Sequence, residues 1–111
     1  MMNEINKVSD ITADDIADYI RIPEITADDL ILINNLLGIA LKFIQDYTGH
    51  TEEELDNYQD FVIVVFILCQ DMYDNRVLYV DKTNLNKVVS TVLGMHSINL
   101  LWLTLGNMTD K

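Results

Sequence analysis

DNYQDFVIVVFILCQDMYDNR, residues 56–76, is the stretch whose reading decides the fold. Its centre, Phe61 to Cys69, is apolar without a break, yet falls far short of the ~20 residues that span a bilayer. Several β-branched residues weaken local helix propensity there, so a buried strand over Val62 to Leu68 competes with a helix. Periodicity favours the helix, because it continues past both ends of the run. Tyr58, Val62, Val65, Cys69, Met72 and Tyr73 share one face, and Phe61, Val64, Leu68 and Asp71 run along the next. Residues 56–76 are therefore expected to form a central helix lying between other helices, not in lipid.

Working outward, Ile11-Thr12-Ala13-Asp14-Asp15-Ile16 reads as a helix start. Thr12 is placed to cap, the aspartates face the positive end of the helix dipole, and Ile11 with Ile16 forms a hydrophobic staple. Pro23 ends this short helix near Arg21. The same device recurs as Ile25-Thr26-Ala27-Asp28-Asp29-Leu30 and opens a much longer helix. On that helix Leu30, Ile33, Leu37, Ala40, Ile44 and Tyr47 form one apolar stripe, and Leu32, Leu36, Ile39 and Phe43 form another, so it is expected to pack on two sides. Gly49 is suited to the left-handed residue that ends it.

Thr51-Glu52-Glu53-Glu54 has the pattern of a capping box, opening either a short helix or the first turn of the central one. Beyond Val77 to Asp81, Thr83 or Asn84 is the expected cap of a last amphipathic helix. Leu85, Val88, Val89, Val92 and Leu93 line its apolar face, and Gly94 ends it. The chain thus divides into a flexible arm over 1–10, a helical domain over 11–94 and an apolar tail over 95–111. The fold class is all-α, a small bundle of about four to five helices. The tail, with Ile98, Leu100, Leu101, Trp102, Leu103 and Leu105, needs a surface, on its own domain or on a neighbouring subunit.

Composition limits function. The chain has 111 residues, half of them hydrophobic, with 18 acidic against 7 basic side chains and a formal charge of -11. Phosphate backbones are bound by Lys and Arg, and no basic cluster is present, so DNA affinity is not expected. The generous apolar share in so small a chain points to a covering subunit. Cys69 is the single cysteine, which excludes an intrachain disulfide. The first ten residues lack the basic and apolar regions of a signal peptide.

No phosphate loop, nucleophile elbow or metal-spaced Cys/His cluster occurs. His50 and His96 near helix ends read as surface loop histidines, and Cys69 as a buried inert thiol. Asp14-Asp15 and Asp28-Asp29 are explained by their first-turn positions. Asp71, Asp74 and Asp81 are conceivable cation ligands, but an ion pair of Arg76 with Asp71 or Asp74 accounts for them better. No catalytic residue, cofactor or metal site is expected.

The order of features resembles one family. A short helix closing on Asp18-Tyr19-Ile20-Arg21-Ile22 precedes a long one closing on Phe43-Ile44-Gln45-Asp46-Tyr47-Thr48-Gly49. An apolar helix closing on Met72-Tyr73-Asp74-Asn75-Arg76 comes next. Over roughly Ile11 to Leu101 this resembles the tailed-phage head-tail connector family, also described as head-completion adaptors or DNA-packaging proteins. Tyr47-Thr48-Gly49 and Tyr73-Asp74-Asn75-Arg76, at their separation, are the most specific parts. Leu101-Trp102-Leu103-Thr104 departs from the family pattern, which often has an arginine nearby.

The resemblance implies a homo-oligomeric ring, commonly of twelve, beneath the portal protein in the virion of a phage or prophage, with a bacterial cytoplasm as the place of synthesis. DNA would pass through without specific binding, and a tail-side stopper or tail-completion protein would dock below. No catalytic residue is implied. Leu32, Leu36, Ile39, Phe43, Tyr73, Arg76 and Trp102 are the candidate subunit-interface residues. The alternative is a small acidic interaction protein, such as a DNA-mimic inhibitor, although most of the acids fall in caps and loops and do not line one face.

Overall fold

Three threonines set where the first three helices begin. Thr12, Thr26 and Thr51 precede α1 (Ala13–Ile20), α2 (Ala27–Thr48) and α3 (Glu52–Leu55), and each hydroxyl accepts from the backbone N–H three residues on. The acid at that third position returns the bond to the threonine's own N–H, through Asp15, Asp29 and Glu54 respectively. All three are thus full capping boxes, and in the first two the shorter aspartate does what glutamate usually does. The computed structural model describes residues 5–98.

Two helices end in left-handed residues that are not glycine. Arg21 (φ 70°) ends α1, and Arg76 (φ 57°) ends α4 (Asp60–Asn75), whereas Gly49 (φ 85°) ends α2 as expected. The central helix therefore exists as a helix, and the competing strand does not form. It starts at Asp60, one turn later than its sequence pattern suggests. Asp56 closes α3, and its carboxylate accepts from the backbone N–H of Ser9 at 2.9 Å.

α4 is apolar almost all round. Phe61, Val62, Val64, Val65, Phe66, Leu68, Cys69 and Met72 are all buried, and α1, α2 and α5 (Lys87–Met95) all pack against it. Tyr19 of α1 lies against Phe66 with ring centroids 5.1 Å apart. On α2 the line that reaches the core is Ile33, Leu36, Ala40, Ile44 and Thr48. It takes members from both expected stripes, and α2 touches α1, α3, α4 and α5.

Three further expectations are corrected. Residues 5–10 are not a loose arm: Ile5 and Val8 are in the core, Val8–Asp10 forms a 3-10 turn, and the Gln59 amide donates to Asn6 at 3.0 Å. The cap of α5 is Asn86, with Asp81 capping a separate 3-10 turn at Lys82–Asn84. α5 continues through Gly94 to Met95, burying Val89 and Leu93, while Val88 is exposed. Of the apolar tail, residues 95–98 are described, with Met95 and Ile98 exposed, while residues 99–111, Trp102 among them, lie outside the described residues.

Gly38 sits on the exposed side of α2, where an added Cβ meets nothing within 4 Å. Glycine costs a helix interior roughly 0.5–1 kcal/mol relative to alanine. Gly38→Ala is expected to stabilise the fold by that amount in urea unfolding, whereas Thr26→Ala, which breaks a capping box, should cost ~1 kcal/mol.

Candidate functional site

An apolar groove runs along the outer face of α2. One wall is α2 itself, and the other is the connector over 77–82 that leaves the end of α4. Two adjoining hollows of about 350 and 340 Å³ share Leu78 at their junction. The first is lined by Leu32, Leu36, Tyr73 and Arg76, and the second by Ile39, Phe43, Tyr47 and Tyr79. Leu78 and Tyr79 are 60% and 61% exposed, so the groove has an unusually apolar rim for so acidic a chain.

Six of the seven candidate interface residues therefore meet on one surface, though not in equal measure. Leu36 is a core residue that shows only its edge to the groove, Leu32 is exposed, and Ile39, Phe43 and Tyr73 are half-buried. The seventh, Trp102, lies outside the described residues. Arg76 contributes its backbone to the end of α4, its N–H donating to the carbonyls of Met72 and Tyr73. Its side chain borders the groove. Among the described residues the ion pairs are Lys42–Asp46, His50–Glu54 and His96–Asp60, so the expected pairing of Arg76 with Asp71 or Asp74 does not occur. Sequence reasoning missed Leu78 and Tyr79, because an extended connector carries no periodicity to say which side is covered.

The histidines are not loop residues in solvent. His50 is 8% exposed, and its Nε2 donates to the carbonyl of His96 at 2.7 Å. That carbonyl can only accept, which fixes the proton on Nε2. Nδ1 lies 3.3 Å from Glu54 Oε1, so a second proton would make this contact charge-assisted. His96 in turn places Nε2 3.1 Å from Asp60 Oδ2 and stacks on Tyr58 at 4.4 Å. Phe61 closes the cluster, its ring 5.3 Å from that of His96. The pair sits at the C-terminal ends of α2 and α5. Its role is to pin three helix ends together, and position at helix ends was its only sequence signal.

Elsewhere, burial pushes the Cys69 thiol up to about 12, which suppresses thiolate chemistry. Burial and the neighbouring charge of Asp74 raise Asp71. The backbone N–H of Thr51 and the His50 side chain lower Glu54, the Ser9 hydroxyl and backbone lower Asp56, and the Thr83 hydroxyl with the Asn84 amide lowers Asp81. Among the described residues no group of three His, Cys, Asp or Glu side chains is arranged to hold a metal ion, and no helix is long and apolar enough to cross a membrane. No protein-family model, curated protein or solved structure matches the chain.

Two outcomes are expected from these polar contacts. His50→Ala leaves the part-buried carbonyl of His96 without its donor and should cost ~1–3 kcal/mol, above the ~0–1 kcal/mol for Asp60→Asn at an exposed pair; urea unfolding of both variants checks the order. Asp56 has a folded-state pKa below its ordinary 3.8, so it stabilises the fold above that pH and stops doing so as pH falls through the folded value. The destabilisation caused by Asp56→Asn at pH 7 should therefore shrink on acidification below pH 3.8.

Proposed function

We propose that this chain is a structural connector subunit of a tailed phage or prophage, assembling as a ring below the portal, extending the DNA channel and offering a docking surface to a tail-side protein. The observation that carries the reading is the exposed apolar strip on an otherwise acidic helical bundle. Leu32, Leu78 and Tyr79 are exposed around the groove, Ile31 is exposed elsewhere on α2, and Val88 and Met95 are exposed on α5. Apolar side chains on two parts of one small domain suit a head-to-tail contact, in which one patch of each subunit meets a different patch of the next and the rotation closes a ring. The charge of -11 supports the same reading, since like charge keeps duplex DNA from sticking to a channel wall. The chain's role is then scaffold and contact surface, with no reaction assigned to it.

Solution mass measured at rising protein concentration, with and without a portal ring, tests the proposal. Several copies are expected to assemble on the portal, and Ile31→Asp, at a 61% exposed position, should reduce assembly without unfolding the subunit. A strictly monomeric protein that ignores the portal and binds a DNA-binding host protein would sink the connector reading in favour of the DNA-mimic one. The assembled ring should also fail to retain duplex DNA at low salt, where electrostatic attraction is strongest.

A further inference from the structure

Positive charge is left over in the groove. Both aspartates of its lining are engaged within the chain, Asp29 by the Thr26 N–H at 3.0 Å and Asp46 by the Lys42 ammonium at 2.8 Å. Arg76 in the first hollow and Lys82 in the second have no ion pair among the described residues. A complementary occupant therefore brings apolar side chains together with carboxylates.

The chain's own surface offers one such combination. Outside the groove, the large apolar side chains exposed among the described residues are Ile25, Ile31, Val88, Met95 and Ile98. The last three belong to a stretch, residues 82–98, that contains Lys82 and Lys87 and no acid, so it would set like charge against Arg76 and Lys82. Ile25 and Ile31 have the opposite setting, because Glu24 and Asp28 beside them are exposed. Asp28 lies one turn before Ile31, which makes the two side chains neighbours on the outer surface of α2.

We propose that the start of α2 in one copy of this chain docks on the groove of the next, with Ile31 in the first hollow and Asp28 against Arg76. That hollow, of about 350 Å³ and lined in part by Leu32, Tyr73 and Leu78, has room for an isoleucine side chain. Ile31 is not part of its lining, so knob and groove are separate patches and the contact is head-to-tail. The acid and the apolar side chain are carried at fixed spacing on a helix, so docking orders no loose segment. The inference rests on reading the groove as a subunit contact, and it names the surface that fills it.

Cross-linking of full-length subunits tests it. Ile31→Cys and Leu78→Cys subunits, each changed at a well-exposed position, are mixed and treated with a short bis-maleimide; Cys69 is buried and does not compete. The expected product joins one of each, several-fold faster than when Glu53→Cys, exposed on α3, replaces Ile31→Cys. Adding Arg76→Glu to the Leu78→Cys subunit should cut the rate several-fold, and adding Asp28→Lys to the Ile31→Cys subunit should restore it. Far-UV circular dichroism verifies folding, and Arg76→Gln or Asp28→Asn gives the same loss where a reversal unfolds its subunit. A rate no higher than that of the Glu53 control overturns the pairing, as does charge reversal without rescue. Recruitment of several copies by a portal ring without this cross-link overturns the pairing and leaves the connector reading standing. The cross-link in a chain that ignores the portal supports the pairing and sinks the connector reading.

Discussion

The need to cover α4 on all sides shapes every other part of this fold. Its middle carries no charged side chain from Phe61 to Gln70, so each exposed face would leave apolar surface in water at ~25 cal/mol per Å². One neighbouring helix covers only one stripe. α1, α2 and α5 together enclose it, and the N-terminal turn at Val8–Asp10 adds to the cover near its start. The shortness of α1 and α5 is compatible with this task, because each has only to present a few residues: Ile16 and Ala17 from one, Val89 and Leu93 from the other.

The buried polar side chains, Thr48, His50 and Ser97, lie at the ends of helices, and there polar groups decide geometry. The three capping boxes satisfy N-terminal donors locally. The His50–His96 cluster acts over a longer range, since it joins residues 46 apart in the chain through a part-buried hydrogen bond. With Asp60 on α4 it gathers the ends of α2 and α5 and the start of α4 at one place. A buried imidazole with both nitrogens facing polar partners is costly to disturb, which ties the exit of the C-terminal segment to the stability of the core.

The outer face of α2 has the opposite character. A helix in contact with four others still has a side to spare, and on α2 that side is lined by Ile39, Phe43 and Tyr47, with Leu78 and Tyr79 of the connector opposite. Ile39, Phe43 and Tyr47 pack against the core with one side and leave the other to the groove. The groove is consistent with a contact surface, whether for the chain's own tail or for a neighbouring subunit, and its charged lining is of both signs, with Asp29 and Asp46 beside Lys42, Arg76 and Lys82.

Helix identity, helix order and most helix ends were legible in the sequence, because they rest on local chemistry: threonine caps, first-turn aspartates, Gly49 and the 3.6-residue recurrence of apolar side chains. The core role of Val89, Leu93 and Ile44 was legible for the same reason. The start of α4 at Asp60, the cap at Asn86 and the passage of α5 through Gly94 were not, since each depends on competition between neighbouring caps that only packing resolves. The burial of Ile5 and Val8, the meeting of His50 with His96, and the groove shared by α2 and Leu78 join residues far apart in the chain. Only the tertiary structure decided them, because a side chain's solvent exposure is set by what folds over it and not by its neighbours in sequence. Residues 56–76 by themselves specified a helix that had to be enclosed; which faces enclosed it, and which face of α2 was left open, came from the packing of the whole bundle.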